Sequence, residues 1–333
     1  MFTFRHDRFL VKPMAISRLV LAATIASSAP AAQAQVYPSK PVRMLVAQAA
    51  GGGVDTLARL VARKMTESLG QPVIVENKPG AGGAIGTTLV AKAPPDGYTL
   101  LMAPIGNMVF TQIMYSEPAF SAQRDFTPIG MLATFPLILV VNGSRPFRTI
   151  EDLIAYMKAN PDKSNYGGSG PAFQFATELF KIKTGTSAQF IQYRSTGEVI
   201  TALAAGDLLL ALADAGPAHE HASGGRLRAL AVTSPHRLSS LPNVPTMAEA
   251  GLPELEIRFW VGLFAPAGTP QPVVKKLEAE LIRVASLPEI AVRMASMQVS
   301  PAAGGAAELA NALTADLARW KAVAKAADIK AVD

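Results

Sequence analysis

Cysteine is absent from the 333-residue sequence. Its absence excludes disulfide frameworks, thiolate zinc sites, iron–sulfur clusters, a cysteine nucleophile and a lipid-modified N-terminal cysteine. Charge is also scarce, because 17% of the residues are charged against about 25% in an average protein. Since half of the residues are hydrophobic, the chain is not of the intrinsically disordered class and can fill large cores. Its length predicts two domains of roughly 100 to 200 residues each.

A charge-free hydrophobic run long enough to cross a bilayer, about 20 residues, is missing as well. Residues 1–34 instead follow the pattern of a secretory signal, with basic residues, a short apolar stretch over 19–25 and small residues ending at Ala34. We predict cleavage after Ala34 and an exported mature protein that is not embedded in a membrane. A start at Met14 would leave a more conventional signal and the same mature chain.

Dense runs of lysine and arginine are also lacking. Removal of the predicted signal takes away four basic residues and one acidic residue, so the formal net charge falls from +6 to +3. The electrostatic footprint of a DNA- or RNA-binding protein is therefore missing, and nucleic acid is excluded as a partner.

What is present is a regular alternation of strand and helix patterns. Apolar residues first alternate, then recur at helical spacing after a glycine break. The predicted elements of this first unit are a strand at 42–46, a helix over 54–65, a strand at 73–75, a helix over 83–93 and a strand at 98–102. This βαβαβ succession predicts an α/β fold with a parallel sheet and helices on both faces.

A second α/β unit begins with an apolar strand at 137–141, after a stretch with Pro104, Pro118 and Pro128 that we predict to be loop. Thr149 to Asp152 has the pattern of a capping box that opens a helix. Further strands are predicted at 190–193, 208–213, 230–232 and 257–264. The last helix carries an apolar stripe formed by Leu309, Leu313, Leu317 and Trp320.

Two glycine-rich turns each follow a predicted strand and precede a predicted helix, where bare backbone amides and the helix dipole favour an anion. They contain Gly51, Gly52 and Gly53 in loop one and Gly168, Ser169 and Gly170 in loop two. Facing each other across an interdomain cleft, they would grip one carboxylated molecule. For loop one, a tight turn that needs positive φ is an equally good interpretation. Asp55 is expected to cap the helix by accepting from its first amides, which places a negative charge close to the anion site.

Signals for catalysis and for cofactors are weak. The glycines from Gly80 to Gly86 have the spacing Gly-x-Gly-x-x-x-Gly, which favours a packing turn over a dinucleotide site. His219, His221 and His236 lack the spacing of a helical zinc pair and are interpreted as solvated residues. No nucleophile elbow or Walker loop occurs. We therefore predict no catalytic residues, no metal and no cofactor.

Six segments carry a family resemblance. They are YPSKPVR at 37–43, GGGVD at 51–55, VIVENKPGAGG at 73–83, PDGYTLL at 95–101, LRALAVT at 227–233 and VPTMAEAG at 244–251. In sequence and in order they resemble the Bug receptors, the substrate-binding family of the tripartite tricarboxylate transporters. The likeness covers nearly the whole mature chain.

The resemblance implies a periplasmic Venus-flytrap receptor, whose two domains are each a mainly parallel sheet flanked by helices. Domain one would comprise residues 35–136 plus 258–333, and domain two residues 137–257. A small organic acid or amino acid would lie between them and be delivered to membrane permease subunits. A monomer is expected.

The resemblance also carries over a candidate site. Loop one corresponds to residues 47–55 and loop two to about 166–174. Contacts through backbone or hydroxyl groups are expected first from Gly52, Gly53, Ser169 and Gly170. The further candidate ligand-binding residues are Gln48, Ala50, Gly51, Asp55, Asn107, Gly168, Gln174, Tyr193 and Asp214. Asp214 would receive a ligand ammonium group if it lines the cleft, and otherwise ends a strand and caps a turn.

The residues of the candidate site differ from the family pattern more than the residues of the rest of the fold do. Gln48, Ala49 and Ala50 stand where the family often has an aromatic residue and prolines, and Gln174 stands near a frequent histidine. Ser195-Thr196-Gly197 replaces a frequent Lys-Gly-Gly, and loop two is shorter. We expect either an unusual ligand or weakened binding.

Two other functions stay open on the sequence. The first is a signalling receptor that contacts a membrane sensor kinase. The second, which the signal peptide and the glycine spacing oppose, is a nucleotide-dependent oxidoreductase.

Overall fold

The computed structural model describes residues 1–3 and 37–331. Contacts divide the chain into two units, Met1–Ser39 and Lys40–Asp333, and every element below lies in the second. The predicted signal peptide and its cleavage after Ala34 lie outside the described residues, apart from residues 1–3. Within the described part of the chain, no helix combines the length and the apolar character that crossing a membrane requires.

The first elements are the predicted βαβαβ succession. In order they are β1 (Val42–Val46), α1 (Gly53–Leu69), β2 (Val73–Asn77), a 3-10 turn (Ala81–Gly83), α2 (Ala84–Ala91) and β3 (Thr99–Pro104). Strand β1 pairs in parallel with both β2 and β3. Val54, Leu57, Val61 and Met65 form the buried face of α1, and Gly70 ends the helix with a φ of 68°, which glycine adopts without steric cost.

The rest of the chain forms a second run of strands and helices and then returns to the first sheet. After a π-helical turn (Gly106–Phe110) and α3 (Thr111–Met114) come β4 (Phe126–Asn142), α4 (Ile150–Ala159), a 3-10 turn (Pro161–Lys163), β5 (Asn165–Gly168), α5 (Pro171–Thr184), β6 (Gln189–Gln192), α6 (Thr196–Ala205), β7 (Leu210–Asp214), α7 (Ala215–Ser223) and β8 (Leu227–Val232). The returning elements are a 3-10 turn (Pro253–Leu255), β9 (Arg258–Pro266), α8 (Gln271–Ala285), α9 (Pro288–Ser296), β10 (Ser300–Gly305) and α10 (Ala306–Ala326).

The strands form two sheets that share β4. The first has the order β2-β1-β3-β9-β4-β10, and the second has the order β8-β4-β7-β5-β6. Strands that alternate with helices pair in parallel, whereas β4 and β9 run antiparallel to their neighbours. The α/β class is confirmed. The sheets are mixed instead of mainly parallel, because the chain leaves and re-enters the first sheet through these two strands.

Strand β4 begins earlier than the sequence indicates. The residues around Pro128, predicted to be loop, pair with β9 from Phe126 onwards. Pro128 lies where the register of this pairing shifts, so its missing amide hydrogen does not interrupt a regular ladder. Strand β10 was not predicted either, because its sequence SPAAGG lacks the β-branched and aromatic residues typical of strands.

Two local predictions are confirmed. Thr149 and Asp152 form a reciprocal capping box at the start of α4. The stripe from Leu309 to Trp320 is buried along α10.

An aromatic cluster lies in the core between elements of both sheets. Phe110, in the π-helical turn, lies 5.0 Å from Phe175 on α5, 5.4 Å from Trp320 on α10 and 5.9 Å from Phe259 on β9, measured between ring centroids. All four side chains are almost fully buried. Such tilted and edge-on contacts add to the stabilisation from burial. The cluster therefore stabilises the part of the core that lies next to the candidate site.

Candidate functional site

Both predicted loops start at the carboxyl ends of strands. Loop one joins β1 to α1, and loop two contains the end of β5 and the start of α5. A helix N-terminus presents amides that have no partner within the helix. In the described part of the chain, the amides of Gly52, Gly53 and Val54 donate to no protein acceptor. Loop one therefore has backbone donors available for an acceptor.

The carboxylate of Asp55 is used within the protein. It accepts from the Gly51 amide at 2.8 Å, from Arg59 Nε at 3.0 Å and from Asn77 Nδ2 at 2.9 Å. Burial raises the pKa of Asp55, but these hydrogen bonds outweigh burial and hold the pKa below its usual value. The prediction that Asp55 accepts from the first helix amides is wrong, because Gly51 precedes the helix and Gly52, the N-cap residue, has no side-chain partner.

A cavity of about 480 Å³ lies between the glycine turn after β2 and the N-terminus of α5. We call it the Ser169 cavity. Four predicted site residues line it, namely Gln48, Asn107, Ser169 and Gly170. Its volume lies within the roughly 300 to 1,000 Å³ typical of small-molecule sites.

Asn107 brings a hydrogen-bond donor without a partner to this cavity. The residue is 2% exposed, and its Nδ2 has no hydrogen-bond partner among the described residues. An unsatisfied buried amide costs roughly 1 to 3 kcal/mol, so a turn of this side chain towards an acceptor on a ligand in the cavity would be favourable. The amide packs against Gly83, where a Cβ would lie 1.6 Å from Nδ2.

A second cavity, of about 340 Å³, lies between the N-terminus of α1 and the start of α7. We call it the Asp214 cavity. Gln48, Gly53 and Asp214 line it, and Gln48 thereby contributes to both cavities. The other walls are mainly apolar and include Leu57, Phe135, Val261, Met297 and Val299. Asp214 is the single titratable side chain among the described residues that line it.

Two hydrogen bonds connect the two cavities. Ser169 Oγ lies 3.2 Å from Thr196 Oγ1, which donates to Asp214 Oδ2 at 3.1 Å. Thr196 can reach both because it is the first residue of α6. Burial raises the pKa of the Asp214 carboxyl, and the hydrogen bond from Thr196 opposes this increase only in part.

The other seven candidates line neither cavity. They are Ala50, Gly51, Gly52, Asp55, Gly168, Gln174 and Tyr193. Gly168 is tightly packed against two aromatic side chains, since a Cβ there would lie 3.1 Å from Phe190 and 3.2 Å from Phe173. Tyr193 packs against the hydrophobic core of the second sheet.

The two predicted loops meet only in part: residues 47–49 of loop one line the Ser169 cavity together with Ser169 and Gly170 of loop two, but the N-terminus of α1 does not. The N-terminus of α1 faces the start of α7 in the Asp214 cavity, and the N-terminus of α5 faces the turn from Gly80 to Gly83 in the Ser169 cavity. This turn was interpreted as packing alone. The sequence feature that could have marked this turn as part of a site is a glycine run directly after a strand. In the structure, Gly80, Gly82 and Gly83 all have positive φ. No sequence pattern indicates that Met297 and Val299 line a cavity, because they lie far along the chain from every loop motif.

Several polar side chains of a third cavity are paired within the protein. A cavity of about 640 Å³ beside α10 is lined by Arg258, Trp260, Asp316 and Arg319. Trp260 donates to Asp316 at 2.8 Å, Arg258 pairs with Glu256 at 3.3 Å, and Arg319 donates to backbone carbonyl groups. No cluster of three or more histidine or carboxylate side chains suited to a metal ion occurs within residues 1–3 and 37–331.

Similarity to known proteins agrees with this arrangement. The sequence profile of the tripartite tricarboxylate transporter family receptor, TctC, matches residues 57–329. The chain belongs to this receptor family. The receptor is also 36% identical over 298 residues, 89% of its own chain and 88% of the relative, to a UPF0065 protein in the tcbD-tcbE intergenic region of Pseudomonas sp. strain P51.

Solved structures support the same assignment. The periplasmic binding protein BugD is 33% identical with a TM-score of 0.74, covering 89% of the receptor and 100% of BugD. Rpa4515 of R. palustris, solved with adipate, is 32% identical with a TM-score of 0.77, covering 89% and 100% of the two chains. The resemblance to Bug receptors is confirmed. The protein is a solute-binding receptor and not an enzyme.

Proposed function

We propose that this receptor acts in the periplasm, after cleavage behind Ala34, and captures a small carboxylated ligand between its two sheets. It then delivers the ligand to a membrane permease of the tripartite tricarboxylate type. The observation that carries the proposal is the buried, unpaired Nδ2 donor of Asn107 beside a cavity that the N-terminus of α5 also lines. The adipate complex of Rpa4515 supports the carboxylate class.

The binding mode follows from the groups that line the cavities. Among the described lining residues of the Ser169 and Asp214 cavities there is no lysine, arginine or histidine. The charge of a bound carboxylate is therefore compensated by amide hydrogens and helix dipoles. The donors that suit this role are Asn107 Nδ2 and the free amides at Gly170 and Ala172, since Pro171 has none.

Delivery requires that the permease distinguish loaded from empty receptor. In our proposal residues 35–136 plus 258–333 form one domain and residues 137–257 the other, and the ligand shifts the population towards a closed arrangement. The passage of β4 through both sheets supports this division, because few segments then connect the domains. The receptor would act as a monomer.

The test of ligand capture is thermal unfolding of the purified protein with di- and tricarboxylates, aromatic acids and amino acids. A ligand at about 100 times its dissociation constant stabilises the native state by about 2.7 kcal/mol. Stabilisation by one chemical class would support the proposal. The absence of any stabilisation, together with no small molecule in mass spectra of the denatured protein, would contradict it.

Two glycine variants test which loops hold the ligand. A Cβ at Gly53 or at Gly170 meets no atom within 4 Å, so Gly53→Val and Gly170→Val should both fold. Each adds bulk to one cavity, and a large loss of affinity identifies the cavity that holds the ligand. Gly224→Val, at the exposed end of α7, is the matched control. Unchanged affinity in both folded cavity variants would exclude the two loops as the binding site.

Delivery is tested in a strain that lacks the receptor. Loss of uptake of the identified ligand, restored by the intact gene, would support a transport role. Intact uptake with lost gene induction would instead assign the receptor to signalling.

A further inference from the structure

A fourth cavity, of about 410 Å³, lies where β4 passes from the first sheet to the second. We call it the Arg258 cavity. Part of its lining comes from the adjacent strands β9, β4 and β10, where Arg258 pairs with Pro136 and Ser300 pairs with Thr134. The rest is the segment 234–239, which follows β8. The volume suits a small molecule, and the cavity shares no lining residue with the two cavities of the candidate site.

The side chains that line this cavity are basic where they are charged. Arg237, Arg258 and His236 line it, and among the described lining residues there is no aspartate or glutamate. The two cavities of the candidate site, by contrast, have no basic side chain in their described lining. Arg258 also borders the cavity beside α10, and the acidic side chains there, such as Asp316, line that cavity only. Of these four cavities, the Arg258 cavity is therefore the one whose side-chain charge suits an anion.

The two arginines have hydrogen-bond donors to spare. Arg237 donates from Nε to Glu249 at 2.8 Å and from Nη1 to the Pro242 carbonyl oxygen at 3.1 Å. Arg258 Nε lies 3.3 Å from a carboxylate oxygen of Glu256. A guanidinium group has five N–H donors, and within the described part of the chain Nη2 of Arg237 and both Nη groups of Arg258 donate to no protein acceptor. Because these side chains are 44% and 60% exposed, their ion pairs hold them only weakly.

Hydroxyl groups add further donors to this cavity. Thr134, Ser239 and Ser300 line it, and their hydroxyl groups donate to no acceptor among the described residues. A guanidinium group binds a phosphate through two parallel N–H bonds. A phosphate group has more oxygen atoms than a carboxylate, so it can accept from guanidinium and hydroxyl groups together, and it carries a charge of about −1.5 to −2 at pH 7. The donor set therefore fits a phosphate group better than a carboxylate.

We propose that Arg237 and Arg258 form a second binding site, which takes a small phosphate-bearing anion. This site goes beyond the proposed capture of a carboxylate and does not depend on it. Arg258 is the first residue of β9 and Arg237 lies in the segment after β8, so the two arginines belong to different proposed domains. The bound anion connects these domains beside the segments that run between the sheets.

The test is titration calorimetry of the purified receptor with inorganic phosphate at pH 7, with the ionic strength kept constant by sodium chloride. We expect saturable binding that persists in the presence of chloride, because chloride cannot accept the paired N–H bonds of a guanidinium group. The same titration with glycerol 3-phosphate shows whether the site takes the free ion or a phosphate ester. The absence of saturable binding for both probes would overturn the inference.

Variants of the two arginines test the assignment. Arg237→Gln and Arg258→Gln each remove one guanidinium group at an exposed position, so both should fold, as checked by the ligand-free unfolding temperature. Each should lower the affinity for the phosphate probe about tenfold or more, the effect of losing charge-assisted hydrogen bonds. Arg63→Gln is the matched control, since Arg63 is also exposed and paired, with Glu67, but lies outside this cavity. Unchanged affinity in either folded variant, or an equal loss in the control, would contradict the assignment.

A further comparison separates this site from the carboxylate site. Helix N-termini also attract phosphate, so binding that is lost in Gly170→Val and kept in Arg258→Gln would place the anion at α5 and overturn the inference. The carboxylate identified by thermal unfolding should bind Arg258→Gln with unchanged affinity, because Arg258 lines neither cavity of the candidate site. If no carboxylate bound while phosphate binding required both arginines, the proposed function would fall and this inference would stand.

Discussion

Thr233 and Ile257 are joined by two hydrogen bonds. Thr233 Oγ1 donates to the carbonyl oxygen of Ile257 at 2.7 Å, and the Ile257 amide donates to the carbonyl oxygen of Thr233 at 3.1 Å. The same hydroxyl accepts from the Leu137 amide at 2.9 Å. Leu137 lies where β4 enters the second sheet, and Ile257 immediately precedes β9. One fully buried side chain thus connects both segments that run between the sheets.

Thr233→Val should therefore destabilise the protein. The change keeps the shape of the side chain but leaves the Leu137 amide and the Ile257 carbonyl without this partner, at roughly 1 to 3 kcal/mol for each unsatisfied group. We expect a loss of about 2 to 4 kcal/mol in the free energy of unfolding, measured by urea denaturation. Thr233→Ser should recover most of it. A Val variant as stable as the parent protein would show that the hydroxyl group is not needed at this junction.

Periodicity in the sequence was a reliable guide where burial is regular. The strand β1 and the helices α1 and α10 could be predicted because each buries one regularly repeating face. Examples of these buried residues are Val42 in β1, Leu57 in α1 and Leu313 in α10. Strand β4 was predicted only in part, because Pro128 is tolerated at a register shift that single-residue propensities do not reveal. The mixed direction of the sheets depends on how distant segments pair, which local patterns do not determine.

The candidate site was predictable only in the residues that its loops contribute directly. Asn107, Ser169 and Gly170 line one cavity as expected, and Asp214 lines the other. Asp55 was misinterpreted, because a carboxylate at the start of a helix has several possible partners and its actual partners include the distant Asn77. Contacts between residues far apart in sequence decided this outcome.

Gly83→Ala should disrupt the Ser169 cavity. A Cβ at this position would lie 1.6 Å from Asn107 Nδ2, so the Asn107 side chain must move. We expect a loss of ligand affinity of about tenfold or more, the effect of losing one charge-assisted hydrogen bond, together with lower stability. Titration of the ligand identified by thermal unfolding measures the first effect and urea denaturation the second.

Gly82→Ala is the matched control for this change. Both glycines have a left-handed φ, 61° at Gly82 and 95° at Gly83, so both variants carry a backbone cost of about 1 kcal/mol. At Gly82, however, the nearest atom to a Cβ is the Tyr115 hydroxyl at 3.9 Å, an ordinary contact. Equal affinity losses in the two variants would exclude Asn107 as the cause.

Asp55→Asn should lower the free energy of unfolding at neutral pH, and this loss should become smaller at acidic pH. The folded pKa of Asp55 lies below its unfolded value, about 3.9, because hydrogen bonds from Arg59, Gly51 and Asn77 to the buried carboxylate outweigh desolvation. The carboxylate therefore contributes its full stabilisation above the unfolded pKa and loses it as the pH falls through the folded pKa. The difference between parent and variant, from urea denaturation between pH 7 and pH 3, should stay constant down to about pH 5 and then narrow.

The same variant separates a structural role from ligand binding. Asp55 lines neither cavity and is 3% exposed, so at neutral pH the folded variant should bind ligand with nearly unchanged affinity. Asp207→Asn, at an exposed position outside both cavities, serves as the control. If Asp55→Asn instead left stability unchanged and weakened binding, the carboxylate would have to act on the ligand through the Gly51 amide or Asn77, since these groups connect it to loop one.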